Sequence, residues 1–140
     1  MNANKFGLLV YCLIFSSASF AQKVTTEKQS QKVNGEDSEG FATTLEGKKD
    51  AVLVSWNKFL KDFGKPKSGT SVTSINEPAL GGTVYPKGII YADIKEKGDN
   101  TQVWLGIKES EWVVNDIEIV KKDLEKEVYQ FGIKYYKDKI

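Results

Sequence analysis

The chain has 140 residues, with 20 basic side chains, all of them lysine, against 19 acidic ones. It has no histidine and one cysteine, Cys12, so it lacks the usual ligands of zinc or copper and the partners of Ser-His and Cys-His nucleophiles. With no arginine and a formal charge of only +1, it also lacks the bidentate phosphate clamp and the attraction on which nucleic-acid binding depends.

Residues 1–21 read as an export signal. Lys5 supplies a basic start, residues 6–15 an apolar run, and Ser16, Ser17, Ala18, Ser19 and Ala21 the small residues before a cleavage point between Ala21 and Gln22. The apolar run falls short of the roughly 20 residues a membrane-spanning helix needs, and Val10 and Tyr11 before Cys12 do not fit a lipid-attachment signal. The expected product is periplasmic or extracellular, with no stable membrane anchor. Cleavage would remove Cys12 and, of the 20 lysines, Lys5, leaving 19 against 19 acids and no thiol or disulfide.

Residues 22–40 are polar, with only Val24 and Val33 to bury, and the composition predicts a flexible leader. A single domain is expected over 41–140. Residues 41–47 alternate as a short strand that stops at Gly47. A helix follows over 50–63, with Val52, Trp56, Phe59 and Phe63 as its stripe, Leu53 and Leu60 widening it, and Gly64 and Pro66 ending it. Residues 70–77 read as a strand. Residues 78–88 are punctuated by Pro78, Gly81, Gly82, Pro86 and Gly88, with room for a short strand at 83–85.

The clearest hairpin joins 88–95 to 101–108 through a loop at 96–100. Alternation puts Ile90, Ala92, Ile94, Val103, Leu105 and Ile107 on one face, and Ile89, Tyr91, Asp93, Gln102 and Trp104 on the other. Residues 115–137 carry the longest helical pattern, with Ile117, Val120, Leu124, Val128, Phe131 and Tyr135 on one side. Asn115 and Glu118 have capping-box spacing, and Val114 and Ile119 that of a hydrophobic staple. The expected order is β-α-β-β-β-α, with three or four strands between the helices. That is an α+β domain in which a single antiparallel sheet carries two amphipathic helices on one face.

The segments 41–47 (FATTLEG) and 54–65 (VSWNKFLKDFGK), behind a signal ending in Ala21 and Gln22, resemble small exported Bacteroidetes proteins of unknown function. The resemblance spans about residues 41–136, rests on structural motifs, and implies no catalytic residue. The element order also resembles TATA-binding-protein-like and helix-grip folds, a likeness of architecture that carries no activity with it.

Neither the Gly98-Asp99-Asn100 turn nor Glu36, Asp37 and Glu39 offers the ligand count of a calcium cage, and Gly81-Gly82 does not match a phosphate loop. Two surfaces stand out as candidate partner sites. The first is the outer face of the hairpin, Tyr91 and Trp104 with Ile89, unless neighbouring segments fold over it. The second is a further stripe on the last helix, Tyr129, Ile133, Tyr136 and Ile140, which fits either a homodimer or partner contact or a helix sandwiched within its own domain.

The leading expectation is a non-enzymatic binding or interaction module, without cofactor, for a protein or small-molecule partner in the cell envelope. One rival is a hydrolase using carboxylates or a lysine in a cleft near 78–88. Another is a carrier of a small apolar ligand between helix and sheet, with Trp56 and Phe59 lining the cavity.

Overall fold

The sheet is antiparallel and two helices lie on it, as the patterning predicts, but it has more strands than expected. In the computed structural model the described residues are 24–139, so the signal, its cleavage point at Ala21 and Gln22, and Ile140 lie outside them. In chain order the described elements are β1 (Glu27–Val33), β2 (Glu36–Glu46), α1 (Lys49–Leu60), β3 (Pro66–Ser68), β4 (Thr73–Asn76), β5 (Ala79–Leu80), β6 (Thr83–Val84), β7 (Ile89–Lys97), β8 (Asn100–Ile107) and α2 (Ile117–Lys137). Six strands form one sheet in the order β1-β2-β8-β7-β4-β3, while β5 and β6 make a separate two-stranded ribbon.

The largest departure is at the start. From Glu27 onward, the segment expected as a loose leader is a hairpin, paired from Glu27 opposite Ala42 to Val33 opposite Glu36. Its turn is Asn34-Gly35, with both residues at positive φ (51° and 83°), the geometry whose twist matches the flanking strands. β1 is polar because it is an edge strand with much of its length in solvent, and it anchors itself through Val33 and the preceding Val24, both buried. Amide hydrogen exchange is the direct check. Amides of β1 that bond to β2 are expected to exchange far more slowly than a disordered peptide, and exchange at the disordered rate would return the segment to a leader.

Both helices cover one face. Val52, Trp56 and Leu60 of α1 and Val120, Leu124, Val128 and Phe131 of α2 join Leu45, Ile75, Ile90, Ala92, Val103, Leu105 and Ile107 in one core. The β7–β8 register sets Ala92 opposite Leu105 and Ile94 opposite Val103, as alternation requires. Between the helices, Trp56 meets Phe131 edge-on at 4.9 Å and stacks on Phe59 at 5.6 Å, so the space expected of an apolar carrier is filled with rings here.

The predicted cap of α2 does not form. A 3-10 turn, Val114–Asp116, precedes the helix and moves its first residue to Ile117, with Asp116 as N-cap making no side-chain capping bond. Val114 and Ile119, the expected staple, are 79% and 57% exposed.

The opposite face has a small core of its own. Val33, Ala42, Tyr91 and Trp104 cluster there, with Val72 from the β3–β4 turn and Ile89 packed against them. Asn34 of the first hairpin turn and residues 69–72 line the same small cavity of about 70 Å³, together with Ser74 and Tyr91. The two ends of the sheet therefore curl toward one another over this face. Two glycines make the curl possible, because the Trp104 ring occupies the space where side chains at Gly40 and Gly106 would stand.

Candidate functional site

The aromatic residues expected on an open outer face are not open. Trp104 is 1% exposed and Tyr91 6%, because the curled sheet covers them. The Trp104 Nε1 donates to the Gln29 carbonyl at 2.8 Å, so β1 acts as the lid. The Tyr91 hydroxyl lies 3.0 Å from both Glu111 carboxylate oxygens, and the buried Lys108 places its Nζ 5.1 Å from the Tyr91 ring centre. Burial first, and then the Glu111 carboxylate, hold the Tyr91 phenol well above its ordinary range.

The second stripe of α2 is likewise occupied from within. Tyr136 is buried and its hydroxyl accepts the Glu46 N–H at 3.0 Å, while Tyr129 and Ile133 are half-buried against the main core. Val24 covers this side, since it sits where a side chain at Gly132 would be, and the neighbouring Thr25 carbonyl accepts the Thr43 hydroxyl at 2.8 Å. The helix is apolar on two sides because it is sandwiched between the sheet and this N-terminal strap.

An ion-paired joint ties α2 to the sheet. Lys121 reaches Glu39 of β2 and, at 3.2 Å, Glu109. Its hydrogen bond and charge hold the Glu39 carboxyl below the ordinary carboxylate value of 4.5. A depressed folded pKa means that this joint stabilises the fold above the ordinary value and that its contribution is lost as pH falls through the lowered one. In Lys121→Met, thermal melts should show less acid sensitivity below pH 4.5 than the parent; identical acid limbs would remove the joint from the account.

The open concave surface lies elsewhere, between residues 85–88 and the connector that precedes α2. Tyr85, Pro86, Lys87, Gly88, Trp112, Val113 and Asp116 line a cleft of about 260 Å³. Its geometry begins with Gly88, whose missing side chain lets the Trp112 ring lie over it. The Trp112 Nε1 donates to the Ile89 carbonyl at 3.1 Å and Tyr85 meets the Trp112 ring at 5.3 Å and 62°. The Tyr85 N–H donates to the Pro78 carbonyl at 2.9 Å, which fixes the loop. Burial, and after it the Asp123 and Asp116 carboxylates, push the Tyr85 phenol above its ordinary value. Of the other acids in the connector, Glu111 is engaged by the Tyr91 hydroxyl and Glu109 by Lys121.

No family model, curated protein or solved structure matches this chain. Its function must be argued from the cleft and the surfaces around it.

The cleft lies at the end of segment 78–88, where a carboxylate or lysine enzyme would need one. Among the described residues its lining contains one carboxylate, Asp116, and one lysine, Lys87, which is exposed. A second pocket, of about 230 Å³, opens beside α1. Trp56 and Leu53 edge it, but Lys49, Asn57, Ser71, Thr73 and Asp93 make its walls polar, which ill suits an apolar ligand. Among the described residues no group of three or more Asp, Glu, His or Cys is placed to hold a metal ion, and no helix is long and apolar enough to cross a membrane.

Sequence reasoning missed Tyr85, Trp112, Val113 and Asp116 as a set. The available signal was the pair Val113-Val114 between acidic neighbours, apolar residues in a connector with no periodicity to bury them.

Proposed function

We propose that this protein is an exported, non-enzymatic binding module that docks a protein partner in the cell envelope through the cleft formed by Tyr85, Pro86, Trp112 and Val113. One observation supports the reading above the others. Among the described residues the exposed large apolar side chains are Val54, Val84, Val113, Val114 and Ile119. Val84, Val113 and Val114 belong to or adjoin the segments lining the cleft, and Ile119 lies in the first turn of the helix that follows. Clustered exposed apolar residues mark contact surfaces, whereas single ones are ordinary. The signal pattern at 1–21 supports export.

A photo-crosslinking residue placed at position 113 or 84, in cells producing the exported chain, is expected to give a discrete adduct. The same residue at exposed position 54 on α1 should give none. Equal adducts at all three positions, or none at 113 and 84, would count against the cleft as the docking surface.

A further inference from the structure

The main sheet has an unfinished edge inside it. β7 pairs with β8 from Tyr91 to Lys97, but β4 matches β7 only from Ile89 to Ala92. β4 is short because the chain turns back at residues 69–72, where the Gly69 N–H donates to the Val72 carbonyl at 2.9 Å. The ladder shows which groups of β7 face the gap. The Glu77 N–H donates to the Gly88 carbonyl at 3.2 Å, so alternation turns the N–H and C=O of Ile90, Ala92, Ile94 and Glu96 toward the β4 side. Among the described residues, β4 meets the first two and no strand meets Ile94 or Glu96. The Ile94 N–H is held instead by the Asp93 Oδ1 next to it, at 2.9 Å, a local substitute for a ladder partner.

We infer that this edge takes an extended segment of a protein partner as an added strand, antiparallel to β7 and in line with β4, with an acidic residue opposite Glu96. Unpaired main-chain donors and acceptors on a strand edge are complemented by another extended backbone. The edge also lies in a groove. The pocket of about 230 Å³ sits at Ala92, Asp93 and Ile94, one of about 130 Å³ sits at Glu96 and Gly98, and Lys49 of α1 lines both.

Alternate side chains of a strand share a face, so the residues opposite Ile94 and Glu96 point the same way, toward α1, as Ile94 does. The first meets Leu53 together with Asn57 and Thr73, a mixed wall that suits threonine. The second meets Lys48 and Lys49 against Glu96 alone. α1 begins at this point with no side-chain cap, and its positive end adds to the two lysines. The charge therefore selects an acid there, while the main-chain bonds carry most of the affinity.

The test is an NMR titration of the chain from Gln22 with the blocked peptide Ser-Glu-Val-Thr-Ser, in which Glu falls opposite Glu96 and Thr opposite Ile94. Shifts are expected at the Ile94 and Glu96 amides and not along β1, the outer edge of the same sheet. N-methylation of the peptide's Thr removes a donor aimed at β7 and should weaken binding roughly fivefold or more. Lysine in place of the peptide's Glu should weaken it roughly threefold, and Lys48→Gln with Lys49→Gln should erase that preference.

Undiminished binding of the N-methylated peptide would overturn strand addition. Equal binding of the Glu and Lys peptides would overturn the acidic residue. Shifts along β1 in place of β7, or none in a chain whose spectrum shows it folded, would overturn the site. Concentration-dependent shifts at Ile94 and Glu96 without peptide would make the occupant a second copy of the chain and overturn the separate partner.

Discussion

Replacing Trp104 by alanine is expected to cost about 3–5 kcal/mol, the range for emptying a fully buried large aromatic site. The indole is the centre of the smaller core and its Nε1 serves the Gln29 carbonyl, so both packing and the bond that holds β1 over the face are lost. The glycines beneath it make the prediction sharper. A Cβ added at Gly106 would meet ring carbons of Trp104, whereas one added at Gly40 would also meet the Leu105 carbonyl oxygen and the Gly106 Cα. Gly106→Ala should therefore be costly in the parent chain and nearly free once Trp104 is alanine, while Gly40→Ala stays costly in both. Denaturant melts of the singles and doubles measure this directly. Additive costs for Gly106 and Trp104 would mean that the ring is not what requires the glycine.

Gly132→Ala is expected to reverse sign according to what stands opposite it. Inside a helix, alanine is favoured over glycine by roughly 1 kcal/mol. In the parent chain the new Cβ would lie 2.5 Å from one Val24 methyl carbon and 3.0 Å from the other, so the substitution should destabilise. With Val24 changed to glycine the obstacle is gone and the same substitution should stabilise.

The parent loss is bounded, because a terminal strap can lift away. Its docking amounts to the burial of one valine, about 1.5–3 kcal/mol, and one hydrogen bond at about 1 kcal/mol. Val24→Asp should reach most of that total by releasing the strap. It would also uncover the Gly132 side of α2 with the half-buried Tyr129 and Ile133, so light scattering should then detect self-association. A Gly132→Ala that stabilises the parent chain would show that Val24 does not dock there.

The hairpin of β7 and β8 and the main stripe of α2 were legible because each has one buried face, and burial of one face writes a period into the sequence. β1 has no such period. As an edge strand it keeps Lys28, Ser30 and Lys32 in contact with water, so its composition imitates a disordered tail, and only Asn34-Gly35 betrays the hairpin. The curl of the sheet was hidden for a different reason. Gly40 and Gly106 are far apart in the chain and form one recess only when β2 pairs with β8. Tyr91 and Trp104 were rightly placed together on one face, but what covers that face depends on twist, which alternation does not record.

The candidate cleft was legible only in its pieces. Pro78 to Gly88 marked an irregular loop, and Trp112 to Val114 looked like the approach to a helix. Their meeting depends on Gly88 leaving room for a ring from another segment. The 3-10 turn that exposes Val114 has no signature that distinguishes it from the first turn of α2.

The strap has one more consequence, for the order of events in folding. Val24, among the first described residues, completes its contacts only against Gly132 in the last helix, and β2 waits for β8. Long-range closures of this kind slow folding. Docking of Val24 therefore waits until α2 has formed, even though β1 and β2 can pair locally before it. For a polypeptide proposed to pass through a translocation channel, late closure keeps the precursor competent for passage.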